Sequence, residues 1–294
     1  MMSQLPENIT LQSGKARLAV KFYSRPASET IILLHGGPGV PDEMTEVREF
    51  LAGHMQVITF DQRGTGSDKC KKCTFSIPEY ISDIDCIADF FNLEDFHLFG
   101  HSWGGLYAQL YTRENPGRIA SLFLCSPGSG TGKIWVLAEK EVFQYNRNRS
   151  TNREWVMMGL NAFLGLLGSN SPYRRLFRQI IINYHKGYDV PPPEPEKLAR
   201  INSRAANKTR SAIKQYPPLG IFGKTTYPVV ITYGQYDAYG ISKKYVFERF
   251  PAARYIEIPD CGHTPWKHNL SEFKKILADF YFIPRRGGGS PPGW

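Results

Sequence analysis

Gly100-His101-Ser102-Trp103-Gly104 constrains the fold of this chain more than any other segment. The apolar run Phe96 to Phe99 before it has the character of a strand. Gly105 to Arg113 after it reads as a helix with Leu106, Leu110 and Tyr111 on one face. A G-x-S-x-G at a strand-to-helix junction predicts a tight turn that lifts a serine hydroxyl above the end of a sheet. Glycines flank the serine because such a turn is crowded and one backbone position needs an unusual conformation. The five-letter pattern alone arises by chance in about one chain in ten of this length, so its neighbours decide the reading.

The first neighbour is His35-Gly36-Gly37-Pro38-Gly39, directly after the buried-strand run Ile31 to Leu34. Glycines at a strand end leave backbone N–H groups open to an oxyanion, and the expected donors are the N–H groups of Gly37 and Trp103. Further along, the β-branched run Val229 to Tyr233 leads into Gly234-Gln235-Tyr236-Asp237. The strand-like Tyr255 to Ile258 leads into Pro259-Asp260-Cys261-Gly262-His263. Ser102, Asp237 and His263 thus each fall just past a strand. They are expected to act as nucleophile, histidine-orienting acid and general base. Asp260 competes for the acid's role but shares its loop with the histidine, whereas a triad acid arrives from a separate strand end. His54, His97, His185 and His268 have no comparable context and read as structural.

With these motifs in place the chain resembles the proline iminopeptidase branch of the α/β-hydrolase superfamily. The resemblance rests on His35 to Gly39, Asp61-Gln62-Arg63-Gly64-Thr65-Gly66-Ser67, Gly100 to Gly105, Gly234 to Asp237 and Gly262-His263, and covers roughly residues 20–282. It implies an α/β fold with a doubly wound, mostly parallel sheet and an inserted helical lid. It also implies that Asp61 and Arg63 brace the loop beneath the oxyanion loop as structural residues. Substrate is far less specified, because function lives in the site and its lid.

Family peptidases recognise a free amine with lid carboxylates, and some place a glutamate directly after the triad acid. Here Ala238 follows Asp237. The segment 128–226 holds sixteen Lys and Arg against six Asp and Glu, in a chain of net charge +9. Such a lid repels an ammonium group, and Glu139, Glu141 and Glu154 are the acids left to receive one. The resemblance extends to hydrolases of bulky esters, among them macrolide esterases. An ester or lactone substrate cleaved through an acyl-enzyme is therefore the leading expectation. An aminopeptidase releasing N-terminal proline is the alternative, and a non-catalytic ligand-binding protein is the third. Trp135 and Trp155 in the lid, with Tyr239 and Trp266 beside the acid and base, are expected to line the substrate pocket.

The rest of the chain fits this frame. A starting hairpin is expected at Ile9 to Gln12 and Arg17 to Tyr23, with further strands at Gln56 to Phe60 and Ile119 to Cys125. Helices are expected at Tyr80 to Phe91, Lys243 to Phe250 and Ser271 to Phe282. Alternating strands and helices imply a parallel sheet covered on both faces. Residues 1–127 and 228–283 form the expected core. Residues 128–227 form the lid, with helical spacing at Trp155 to Leu167 and Arg174 to Tyr184, and 284–294 form a Gly/Pro-rich tail. No apolar run reaches membrane-spanning length, and Met1 to Ser13 lacks the regions of a signal peptide. Five dispersed cysteines fit a reducing cytoplasm. Cys70 and Cys73 form a lone C-x-x-C read as a reduced surface loop, since one pair lacks the further ligands of a zinc site. No metal or other cofactor is expected. The cationic residues are scattered and match no nucleic-acid module, which leaves only weak attraction to anionic surfaces. A small-molecule ester or lactone, or a short peptide, is the expected partner, with no nucleic acid and no membrane; oligomeric state is not legible.

Overall fold

The computed structural model describes residues 5–41, 43–65 and 73–282. Cys70, Gly66, Ser67 and the 284–294 stretch lie outside the described residues. The strands are β1 (Glu7–Ser13), β2 (Ala16–Tyr23), β3 (Thr30–Leu34), β4 (Gln56–Phe60), β5 (Phe96–His101), β6 (Ile119–Cys125), β7 (Val229–Gly234) and β8 (Arg254–Ile258). They form one sheet in the order β1-β2-β4-β3-β5-β6-β7-β8. The hairpin β1–β2 is antiparallel and β2 joins β4 antiparallel, while β3 through β8 run parallel. This is the expected α/β-hydrolase fold.

The central strands are buried on both faces, which is why they read as unbroken apolar runs rather than alternating ones. Alternation survives in where the side chains go. Ile32 and Leu34 of β3 enter one core layer, and Ile31 and Leu33 enter the other. The first layer is closed by α2 (Ile77–Phe90) and α3 (Trp103–Glu114). The second is closed by α1 (Thr45–Ala52) and α11 (Leu270–Tyr281). Between β6 and β7 stand α4 (Gly132–Arg149), α5 (Asn152–Leu166), α6 (Asn170–His185), α7 (Pro195–Ala199) and α8 (Ser203–Gln215). The short helices α9 (Lys244–Arg249) and α10 (Pro265–His268) follow β7 and β8.

Sheet order places the site. The chain passes outward from β3 to β4 and then returns across β3 to β5. The loops after β3 and β5 therefore leave neighbouring strands in adjacent positions, at the point where ligands enter open α/β sheets.

Asp61 and Arg63 both make structural contacts from the loop after β4. Arg63 is buried and forks onto Asp83 of α2, with Nε 2.9 Å from Oδ2 and Nη2 2.6 Å from Oδ1, and Nη1 reaches Glu79. It fixes α2 to the sheet. Asp61 instead pairs with Arg200, beside α7. Their neighbour Gln62 braces the loop after β3: its side-chain amide donates to the His35 carbonyl (2.8 Å) and its oxygen accepts the Trp103 indole N–H (2.8 Å). Cys73 is disulfide-bonded, against the reading of reduced cysteines throughout, while Cys86, Cys125 and Cys261 are free.

Asp83→Asn should destabilise the protein by about 3–5 kcal/mol, because it removes the buried carboxylate that the Arg63 guanidinium forks onto and leaves only the partly exposed Glu79 to answer that charge. Glu79→Gln, at a partly exposed position, should cost less than about 1 kcal/mol. Urea unfolding of both variants checks the contrast, and equal costs would contradict it.

Candidate active site

Ser102 occupies the bend between β5 and α3 with φ 54° and ψ −118°, a left-handed conformation rare for a residue with a Cβ. The strain falls on the serine itself, and the flanking glycines serve close approach. A Cβ on Gly104 would overlap the Leu34 carbonyl, and one on Gly100 would overlap the backbone of Gly104 and lie 2.8 Å from the Gly105 Cα. The start of α3 thus lies directly on the ends of β3 and β5. Gly36 packs as tightly, since its Cβ would stand 3.0 Å from His101 Nδ1 and 3.5 Å from Ser102 Cβ.

The three residues expected to work together are together. Ser102 Oγ lies 3.0 Å from His263 Nε2, and His263 Nδ1 lies 3.0 Å from Asp237 Oδ1. A carboxylate only accepts, so the imidazole proton is on Nδ1 and Nε2 accepts from the serine hydroxyl. Asp237 is fully buried and also accepts the Ser126 hydroxyl (2.6 Å) and the Tyr239 N–H (3.0 Å). Burial pushes its carboxyl up. The pull of His263 and the hydrogen bonds from His263, Ser126 and Tyr239 outweigh that and bring it to about 2. Asp260 is exposed; its backbone N–H donates to Gln235. It sits apart from the histidine's nitrogens, both of which are engaged elsewhere.

Of the expected oxyanion donors, Gly37 lines the cavity above Ser102. Trp103 presents a first-turn N–H that has no acceptor within its own helix. Its indole is buried beneath the sheet end.

The cavity is about 350 Å³ and is walled by the β3 loop, α4, α5 and α6, with Ser102 and His263 on its floor. Trp135, Trp155, Tyr239 and Trp266 all line it. Sequence reasoning missed Met158, Leu176, Phe177, Ile180 and Tyr184, which complete an apolar wall. Tyr184 leans on the His263 ring at 4.9 Å. Helical spacing flagged α5 and α6, but which face looks inward is a tertiary matter.

The three acids of the segment between β6 and β7 that could receive an amine are committed elsewhere. Glu139 is held by Arg210 (2.6 Å) and Lys214 (2.7 Å) in the cavity wall. Glu141 accepts from the Gly240 and Ser242 N–H groups (both 2.9 Å), and Glu154 caps α5 through Thr151. Outside that segment, Glu43 also lines the cavity, and its backbone carbonyl accepts the Trp266 indole N–H.

Two histidine roles were also invisible in sequence. His101 donates from Nε2 to the His263 carbonyl (2.9 Å) and meets Trp266 edge-on, tying the bend after β5 to the histidine loop. His268 accepts the Gly262 N–H on Nδ1 (3.0 Å), and its other nitrogen lies 2.9 Å from His185 Nδ1.

The sequence matches the α/β-hydrolase fold family over residues 29–266. This chain belongs to that family, in its proline iminopeptidase-like branch. A proline iminopeptidase of Clostridioides difficile (strain 630) is 30% identical over 265 residues, covering 85% of this chain and 88% of the relative. A proline iminopeptidase of Lactobacillus delbrueckii subsp. lactis is 25% identical over 271 residues, covering 85% and 89%. Among solved structures, that of VinJ superposes with a TM-score of 0.70 at 15% identity over 93% of this chain and 97% of that one. That likeness is one of fold.

Burial drives His101 and His268 down to about 3 and His185 to about 4, with His263, His185 and Lys267 respectively adding to the effect. All three are neutral when folded and charge when unfolded below about 6.5. The unfolded chain then binds more protons, so stability rises with pH from about 4 to about 6.5 and is lost on acidification through that window. Asp237 stays ionised throughout it, its contribution being lost only toward pH 2. Urea midpoints measured between pH 7 and pH 4.5 should fall steadily; a flat profile would contradict this account.

Proposed function

We propose that this α/β hydrolase is a serine hydrolase that cleaves a carboxylic ester or lactone through an acyl-enzyme on Ser102. The observation that carries the reading is the continuous Ser102–His263–Asp237 hydrogen-bond chain at the floor of an apolar cavity. His263 Nε2 takes the hydroxyl proton as Ser102 Oγ attacks the carbonyl carbon. Asp237 holds the tautomer and stabilises the imidazolium. The oxyanion is received by the N–H groups of Gly37 and Trp103. His263 then gives its proton to the leaving alcohol, and a water attacks the acyl-enzyme by the same route in reverse. The helices of 128–227 act as the lid.

The ester preference rests on electrostatics. An ammonium group in a partly desolvated pocket needs an opposing carboxylate. Glu139 already answers two cations, Glu141 and Glu154 are taken up by backbone, and Ala238 stands beside the acid. The competing aminopeptidase reading draws on the proline iminopeptidases to which the chain is similar and on Glu43 in the cavity wall.

Ser102→Ala should lower turnover by on the order of 10⁴ to 10⁶ while the fold persists. Asp237→Asn should lower kcat by about 10⁴ through the wrong histidine tautomer, and Asp260→Asn by far less. Steady-state assays of the purified variants check both, and a reversed order for the two aspartates would relocate the acid.

On matched substrates, ester cleavage should exceed proline-amide cleavage by at least roughly tenfold in kcat/KM, about 1.4 kcal/mol of transition-state discrimination. Fast proline-amide turnover with an N-blocked ester ignored would establish the aminopeptidase instead, and Glu43→Gln would then be the variant to abolish it.

A further inference from the structure

The helix α5 is apolar on two adjacent faces. Trp155, Met158, Gly159 and Ala162 line the cavity. About a third of a turn away, Val156 (68% exposed), Leu160 (50%), Phe163 (59%) and Leu167 (71%) face outward, with Met157 at their far edge. Their spacing of three and four residues makes a continuous stripe along the helix and the turn that ends it. Contiguous exposed apolar surface of this kind marks an interaction site.

Charge selects the partner. Helices α4 to α6 carry eight Lys and Arg against three Glu. Those three are the acids already engaged by Arg210 and Lys214, by the Gly240–Ser242 backbone and by the α5 N-terminus. Arg153 sits exposed at the head of the stripe. Arg175, bonded to Asn161 (3.2 Å), borders one edge, and Arg147, bonded to Asn152 (3.0 Å), borders the other. A second copy docked by the same face would bring these cations against themselves across a two-fold axis, a repulsive arrangement. An anionic lipid surface answers both the apolar stripe and its cationic border. The cavity opens toward this side as well, since Phe143 and Gly159 line it and are also exposed.

We propose that the outer face of α5, Val156 to Leu167, seats the protein on an anionic membrane surface with its cavity mouth toward the lipid. This is a peripheral contact, which a reading limited to membrane-spanning runs does not address. It does not depend on the hydrolase reading, because no residue of the stripe lines the cavity.

The test is co-sedimentation of the full-length protein with vesicles of phosphatidylcholine alone and with roughly a third phosphatidylglycerol. The wild type should bind the anionic vesicles at least about tenfold more tightly, and added salt should weaken that binding. Leu160→Ser with Phe163→Ser should lower binding about tenfold without changing net charge. Arg153→Glu with Arg175→Glu should abolish the preference for phosphatidylglycerol. Turnover of a small soluble ester by the Leu160/Phe163 variant should stay within about twofold of wild type, and Ser102→Ala should bind vesicles like wild type. Circular dichroism confirms that each variant is folded. Absence of binding to anionic vesicles, or binding indifferent to the Leu160/Phe163 change, would overturn the proposal. So would a wild-type dimer that this variant dissociates in sedimentation velocity while vesicles are ignored; a second copy would then be the occupant.

Discussion

The site depends on one steric fact: α3 begins in van der Waals contact with the end of β3. Gly104 has no room for a Cβ because the Leu34 carbonyl occupies that space, and Gly100 has none because of the backbone of Gly104. With the helix start this close, the residue at the bend is forced into a left-handed conformation and its side chain projects from the sheet end. That residue is Ser102. The same closeness sets Gly36 against the Ser102 Cβ and so brings the β3 loop within reach of any group bonded to the serine. The cost is a strained backbone of order 1–3 kcal/mol, held in place by buried strands on both sides.

Around this bend, polar braces do what glycines cannot. Gln62 bridges the His35 carbonyl and the Trp103 indole, joining the β3 loop to α3 through one buried amide. His101 reaches across to the His263 carbonyl, and Ser126 takes the second oxygen of Asp237. Each links two different strand ends, so the relative positions of the loops after β3, β5, β6, β7 and β8 are fixed by hydrogen bonds rather than by packing alone. Burial keeps His101 neutral, which lets it serve as a donor without adding charge beside His263.

The cavity's electrostatics follow from pairing as much as from composition. A net-positive insert need not present a positive wall, since cations on long side chains turn outward to water. Here the decisive arrangement is that Glu139, in the cavity wall, is shared between Arg210 and Lys214, while Glu141 is spent on the loop that follows Asp237. Glu139 thus ties α4 to α8 within the insert and Glu141 anchors the insert to the core, which leaves aromatic and aliphatic groups to face Ser102.

The central strands and the order of the three chemical residues were legible because they rest on local signals: unbroken apolar runs where a strand is covered on both faces, and glycines where backbones touch. Helix α8 was not legible, because its buried face is built of Ala205, Ala206 and Thr209 with only Ile213 as a large group. Small side chains allow close packing but leave no apolar rhythm. Helix α1 is only two turns long with Val47 and Leu51 inward, too short for a period to emerge. Contact with the β3 loop falls to Gln62, while Arg63 braces its own loop against α2, since neighbours in sequence point in different directions from an irregular loop. By itself, then, the sequence determined the parallel sheet, the bend at Ser102 and the loops that carry Asp237 and His263. Only the tertiary structure decided which acids remain near the cavity, which side of α5 meets it and which meets solvent. Those outcomes depend on contacts between elements tens of residues apart, where charge is cancelled or exposed by packing that no local pattern encodes.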